Sequence, residues 1–139
     1  MSVNRIMVKD PITINPKASV RDAARIMRDK EIGSVIIVNG KKPIGILTER
    51  DIVRRITAVG LNPEILTVEK VCSKPVVAVN QILQIDDAVD IMRDNKIRRL
   101  IVVDNDDEVV GIITSDDIGY NLRSMSETLA VKYIAAMKR

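Results

Sequence analysis

The 139-residue sequence predicts a mixed α/β (α+β) fold of two tandem β-α-β-β-α repeats, packed through their sheets about an approximate two-fold axis. Three observations carry this. The first is self-similarity: at an offset of 65, Asp22-Ala23 falls on Asp87-Ala88 and Ile26-Met27-Arg28-Asp29 on Ile91-Met92-Arg93-Asp94. After one inserted residue beyond Gly40 the offset becomes 66, and GILTERDI from Gly45 meets GIITSDDI from Gly111. The second is helical periodicity at corresponding places, and the third is a pair of short apolar runs suited to buried strands.

The elements follow in order within each repeat. Ile12-Thr13-Ile14 and Val76 to Val79 read as short first strands. Val20, Ala23, Ala24 and Met27 sit at helical spacing, as do Ile85, Ala88, Val89 and Met92, so each set forms one apolar helix face. Ser19 is the expected N-cap of the first helix, with Asp22 three residues on. Val35-Ile36-Ile37-Val38 and Leu100-Ile101-Val102-Val103 are β-branched and apolar on both faces, as strands buried on both sides are. Turns at residues 39–42 and 104–108 lead to a second strand, Ile44 to Leu47 or Val109 to Ile113, and so to a hairpin. The last helix begins at Thr48 or Thr114. One unit of this size exposes too much apolar surface to stand alone, so the two share a core. The division expected is 1–60 for the first repeat, 61–122 for the second and 123–139 for a C-terminal helix.

Composition removes several classes of function. Cys72 is the sole cysteine and histidine is absent, which excludes disulfides, Cys/His zinc sites and histidine acid/base chemistry. Cys72 follows Val71 and aligns with Met7, so it reads as a buried apolar residue. No metal cluster or nucleophile–base pair is evident, so the chain is not read as an enzyme. The acidic turn at 104–108 lacks the glycine and distal glutamate of an EF-hand loop and reads as a solvated turn rather than a metal site. A net charge of +3 permits anionic ligands. Arg54-Arg55 leave a nucleic-acid partner as a third reading, but Tyr120 and Tyr133 are the only aromatic residues, so base-stacking platforms are missing. No apolar run approaches the roughly 18 residues that span a bilayer, and the polar, proline-bearing N-terminus is no signal peptide, so no membrane association and a cytoplasmic location are expected.

The repeated junction allows two readings. Thr48-x-x-Asp51 and Thr114-x-x-Asp117 match a capping box, which is a purely structural device. Three features point further. The glycine three residues before each threonine weakens a strand unless backbone or ligand must come close. A helix N-terminus offers free N–H groups to an anion. A carboxylate one turn into that helix can accept both hydroxyls of a ribose.

The tandem repeat and its G-h-h-[ST]-x-x-D junctions resemble a cystathionine-β-synthase (CBS) domain pair, or Bateman module, over about residues 5 to 122. The resemblance implies a stand-alone regulatory protein that binds AMP, ADP or ATP, or else S-adenosylmethionine or NAD, in two clefts between the repeats, and needs no separate cofactor. It implies that Thr48 and Asp51 serve one cleft and Thr114 and Asp117 the other, contacting ribose and phosphate. Before the second buried strand stands Lys96-Ile97-Arg98-Arg99-Leu100, against Glu31-Ile32-Gly33-Ser34-Val35 in the first copy. The γ subunit of AMP-activated kinase is similar here, which makes Arg98 and Arg99 phosphate candidates, two guanidiniums suiting bidentate recognition. Adjacent residues of a strand point to opposite faces, so one of the two is expected to bind. Arg50 in the first junction is a further candidate, while Asp116 beside Asp117 disfavours polyphosphate in the second. With so few aromatic residues an adenine must be held by aliphatic and backbone groups, and family position suggests Thr13, Ile14, Ala78 and Val79. Two clefts of unequal affinity follow, since Arg98-Arg99 accompany one junction and Gly33-Ser34 the other.

Beyond Ile118 the last helix is expected to run on through Leu122 and Met125. Ser126 then caps a helix with Leu129, Ala130, Tyr133, Ile134 and Met137 on one face, and Lys132, Lys138 and Arg139 toward its end. Such a face either packs back or joins a partner, and the resemblance implies a homodimer of modules acting on an unidentified regulated protein. The rival reading is an interaction scaffold whose clefts stay empty.

Overall fold

Each half of the chain closes its own small sheet in the computed structural model, which describes residues 1–138. One unit comprises Pro11–Val76 and the other combines Met1–Asp10 with the chain from Val77 onward. In the first unit β2 (Thr13–Ile14) runs parallel to β3 (Ser34–Asn39), which pairs antiparallel with β4 (Lys42–Thr48). In the second, β5 (Ala78–Asn80) runs parallel to β6 (Arg99–Val103), which pairs antiparallel with β7 (Val109–Thr114). A fourth strand, β1 (Val8–Lys9), adds to the free edge of β7.

The helices pack on one face of each sheet. In the first unit α1 (Val20–Lys30) buries Val20, Ala23 and Met27 against Val35, Ile37 and Leu47. In the second unit α4 (Ile85–Asn95) buries Ile85, Ala88, Val89 and Met92 against Leu100, Val102 and Ile113. These are the faces that periodicity predicts. Ile36 and Ile101, one residue out of phase, point to the opposite sheet face and are only 1% and 2% exposed. Ser19 caps α1 by accepting from the Asp22 N–H at 3.0 Å, as expected.

The compact units are not cut where the repeats are. The segment ahead of the first repeat belongs with the second, Val8 pairing with Ile112, while α3 (Val68–Val71) and the residues after it return to the first unit, Ser73 pairing with Ile46. Each repeat leaves the outer edge of its hairpin unpaired, and the segment preceding the other repeat satisfies that edge.

The same crossing explains the junction glycines. A Cβ on Gly111 would meet Met7 Sδ, with Met7 Cγ and the Val8 carbonyl each 3.0 Å away; a Cβ on Gly45 would meet Cys72 Sγ, with Cys72 Cβ at 3.2 Å. Protein, not ligand, makes the close approach at these positions. Cys72 and Met7 are thus equivalent wedges, and burial pushes the Cys72 thiol above its ordinary pKa.

Two expectations for the C-terminal part need correction. The last helix of the second repeat, α5 (Ser115–Tyr120), does not run through Leu122 and Met125, because a single tight turn at Leu122–Ser124 redirects the chain. The final helix α6 (Glu127–Met137) is capped by Ser126 as expected, but its docked face is Leu129, Tyr133, Ala136 and Met137. Ile134 is 62% exposed, and so is Val131. The packed stripe turns toward Ala136 because α6 lies back on the second unit, where Lys132 reaches Asp86 Oδ1 at 2.6 Å and Asp90 Oδ2 at 2.7 Å on α4. Lys132 is therefore an ion-pair anchor rather than a helix-end charge; Lys138 is the exposed C-cap, and Arg139 lies outside the described residues.

Candidate functional site

Both junctions form reciprocal capping boxes. The Thr48 N–H donates to Asp51 Oδ2 at 3.0 Å, and the Asp51 N–H donates to Thr48 Oγ1 at 3.1 Å. In the second copy the corresponding bonds are 2.8 and 3.1 Å, and the Thr114 hydroxyl also donates to Asp117 Oδ2 at 3.0 Å. The structural reading of the motif therefore holds at both places. Only one carboxylate oxygen is used in each box. Asp51 Oδ1 lies 3.7 Å from Arg55 Nη2, whereas no protein donor reaches Asp117 Oδ1 among the described residues.

The helices starting here are short as α-helices: α2 (Glu49–Asp51) widens at once into i→i+5 turns over Ile52–Thr57, and α5 has six residues. Their first N–H groups are largely taken. Glu49 N–H donates to the Gly33 carbonyl at 3.0 Å and Ser115 N–H to the Arg98 carbonyl at 2.9 Å, so the free helix end expected from sequence is reduced to Arg50 and Asp116. What these bonds do is tie the divergent loops, Gly33-Ser34 and Arg98-Arg99, directly to the junctions.

Strand register then assigns faces. Ser34 stands opposite Thr48 and Arg99 opposite Thr114, and opposed residues share a sheet face. Thr13 is paired with Ile36 and Ala78 with Ile101, on those same faces. Thr13, Ser34 and Thr48 thus share one face of their sheet, and Ala78, Arg99 and Thr114 the corresponding face of the other. Thr13 and Ala78 are exposed, whereas Ile14 and Val79 turn into their cores and cannot offer side chains to a ligand. Arg98 is also out of phase with these residues. Its Nη2 donates to the Met137 carbonyl at the end of α6, 3.3 Å away, so of the two candidate arginines it is Arg99 that lies beside Thr114. Arg50 is exposed, two residues after Thr48, and without a partner among the described residues.

Sequence reasoning noted Gly33-Ser34 and Arg54-Arg55 but named neither Ser34 nor Arg55 as a ligand-site residue. The 65-residue offset places Ser34 on Arg99, and Arg55 stands four residues after Asp51 on one helix, a spacing that brings opposite charges together. Arg55 Nη1 also donates to the Val71 carbonyl at 3.1 Å, so it braces the first junction against the returning segment.

Behind the second junction, the Tyr133 hydroxyl donates to the carbonyl of Ser115 at 2.8 Å, and Ser115 is 4% exposed. Burial, and then the Asp116 carboxylate, push the Tyr133 phenol above its ordinary pKa. A folded-state value raised in this way contributes stability that is present below the ordinary phenol pKa and lost as pH rises through the folded value. In a Tyr120→Phe variant Tyr133 is the sole phenol, and its phenolate absorbance should titrate above the usual value of about 10; a midpoint at or below that would show that α6 does not bury Tyr133.

In the acidic turn, Asp104 Oδ1 accepts from the Asp106 and Glu108 N–H groups at 2.9 and 3.0 Å. These bonds hold the hairpin turn. Asp104, Asp106 and Glu108 nonetheless bring their carboxylates within 4.8 Å of one another.

A CBS domain model matches the sequence twice, at residues 3–58 and 68–122. The chain belongs to the CBS domain family. A CBS relative from Bacillus subtilis, the CBS domain-containing protein YhcV, is 32% identical over 88% of this chain and 86% of its own length. An uncharacterized protein of Methanopyrus kandleri is 40% identical over 85% of this chain, which spans 61% of that protein. Among solved structures, the CBS domain pair of protein MJ0100 superimposes with a TM-score of 0.78 at 30% identity, over 89% of this chain and 97% of that one. That structure was determined in complex with 5′-methylthioadenosine and S-adenosyl-L-methionine. The two CBS units of the present chain are mixed α+β, with two sheets, and no helix among the described residues is long and apolar enough to cross a membrane.

Proposed function

We propose that this CBS pair is a regulatory module that binds an adenosyl ligand, AMP, ADP or ATP in the first instance, at its Thr/Asp junctions and passes the binding event to a partner protein. The observation that supports this most is the second junction: Arg99 stands across the strands from Thr114, and Asp117 keeps one carboxylate oxygen without a protein donor. A guanidinium beside a hydroxyl suits a phosphate, and the spare carboxylate oxygen suits ribose hydroxyls. The adenosyl complex of a CBS pair related at 30% identity supports the ligand class. The role is regulatory rather than catalytic, in the cytoplasm, with the module acting as a homodimer; Val131 and Ile134 on α6 leave apolar surface for association.

The first junction has Ser34 where the second has Arg99, and its Asp51 already has Arg55 nearby. It is the weaker site for a phosphate-bearing ligand.

Native mass spectrometry of freshly purified protein reports co-purified nucleotide and subunit number together. In thermal melts, AMP or ATP at about 100 times its Kd should stabilise the fold by about 2.7 kcal/mol, which is several degrees in Tm. If AMP, ATP and S-adenosylmethionine all leave Tm unmoved at millimolar concentration, the chain is an interaction scaffold with unused junctions.

A further inference from the structure

The inference concerns α6 and rests on the ligand reading of the second junction. Arg98 immediately precedes Arg99, and Ser115 immediately follows Thr114, so each ligand-facing residue has a neighbour on the opposite side. Those two neighbours bond each other through the Ser115 N–H and the Arg98 carbonyl, at 2.9 Å. Both are also held by α6: the Arg98 guanidinium donates to the Met137 carbonyl, and Tyr133 donates to the Ser115 carbonyl. The Tyr133 hydroxyl additionally lies 3.0 Å from where a Cβ of Gly119 would stand, so the ring seats on α5 at a residue without a side chain. Lys132, bonded to Asp86 and Asp90, fixes the helix along α4.

The first repeat keeps the equivalent Glu49–Gly33 bond, yet Gly33 has no side chain to be held, and the chain there continues as the loop at residues 58–67. The network is therefore specific to the second junction. Met137 carries one of the last carbonyls of α6, which lack intrahelical donors, so a guanidinium is a fitting partner for that end.

We propose that α6 is a positioning element of the second ligand site, with Tyr133 and Arg98 as positioning residues that set Ser115 and Arg99 from behind, so that ligand affinity at this junction and docking of α6 are coupled. Such coupling is reciprocal: what the helix adds to affinity, the ligand adds to helix docking. The C-terminal helix is then the segment through which occupancy of the second junction reaches a partner.

The test is amide hydrogen exchange and equilibrium titration on the full chain, with AMP as probe. Saturating AMP should slow exchange across residues 129–137 by about fivefold or more, the lower end of ordinary allosteric coupling. Tyr133→Phe should speed exchange there without ligand and weaken AMP binding by a similar factor of about five in an Asp51→Ala background, where the second junction alone remains. In an Asp117→Ala background the same change should leave affinity unaltered, which general loosening of the fold would not do. Arg98→Gln provides a second variant that should speed exchange of α6 in the absence of ligand. Protection by AMP at 114–117 with unchanged exchange over 129–137 would overturn the coupling while leaving the site reading intact. Absence of protection at both 48–51 and 114–117 with AMP, ATP and S-adenosylmethionine would overturn the site reading, and the coupling with it.

Discussion

Gly111→Ala should destabilise the protein by about 1–3 kcal/mol, although alanine is ordinarily the better strand residue by about 0.5–1 kcal/mol. The sign is the informative part. Gly111 does not occupy the left-handed region, so its backbone tolerates alanine, and lost chain entropy alone would make the substitution stabilising. The new methyl would instead press on Met7 and on the Val8 carbonyl, 3.0 Å away, in a strand held by pairing to β7. A flexible thioether can move aside, but a paired backbone carbonyl cannot. Gly45→Ala should cost less, since its nearest backbone atom, the Ser73 carbonyl, is 3.3 Å away across an isolated bridge. Denaturant melts of the two variants and of Met7→Ala/Gly111→Ala measure this directly. The double variant should recover only the Met7 part of the loss, and a stabilised Gly111→Ala would show that the crossing segment does not bear on the hairpin.

Asp117→Ala should produce the larger functional effect. It removes a carboxylate oxygen that accepts from both the Thr114 N–H and hydroxyl, so the reciprocal half of the capping box is lost at about 1 kcal/mol, while Thr114 Oγ1 still accepts from the N–H of residue 117. It also removes the remaining oxygen, and hydrogen bonds to a charged group contribute about 1.5–3 kcal/mol, so adenosyl affinity at that junction should fall by roughly 10- to 100-fold. Asp117→Asn separates the roles, because asparagine is a competent capping acceptor without the charge. Its Tm should stay near wild type while its ligand affinity drops. A variant that loses stability and keeps affinity would reduce Asp117 to a helix cap.

The repeat, the element order and both capping boxes were legible in the sequence because they rest on local spacing: helix faces recur every three to four residues, and Thr and Asp three apart bond within one turn. The reason for the glycines was not, because Met7 and Cys72 reach them across a long loop of chain that no local pattern encodes. The choice between Arg98 and Arg99 needed register, since alternation says only that the two diverge, and the pairing of Arg99 with Thr114 assigns the faces. Leu129, Tyr133 and Met137 were placed on the docked face of α6 correctly and Ile134 was not, because an apolar stripe on a short helix is broad, and the ion pairs of Lys132 with α4 choose a rotation that buries Ala136 instead. The stop at Tyr120 was missed for a related reason: the Asn121 side chain bonds back to the Asp117 carbonyl at 2.8 Å, a competition that apolar periodicity does not record.

The two junctions share a scaffold and differ in the groups placed on it. Ser34 and Arg99 occupy the same register position beside a threonine, and Arg55 and Asn121 the same position after an aspartate. Both junctions have the Thr/Asp capping box, and they differ in the side chains set around it.

Isothermal titration of AMP into the wild-type chain, Asp51→Ala, Asp117→Ala and the double variant tests the central claim most directly. Saturable binding that weakens in Asp117→Ala, weakens less in Asp51→Ala and vanishes in the double variant is the predicted result. Binding of undiminished affinity in the double variant, with its fold intact, would contradict it.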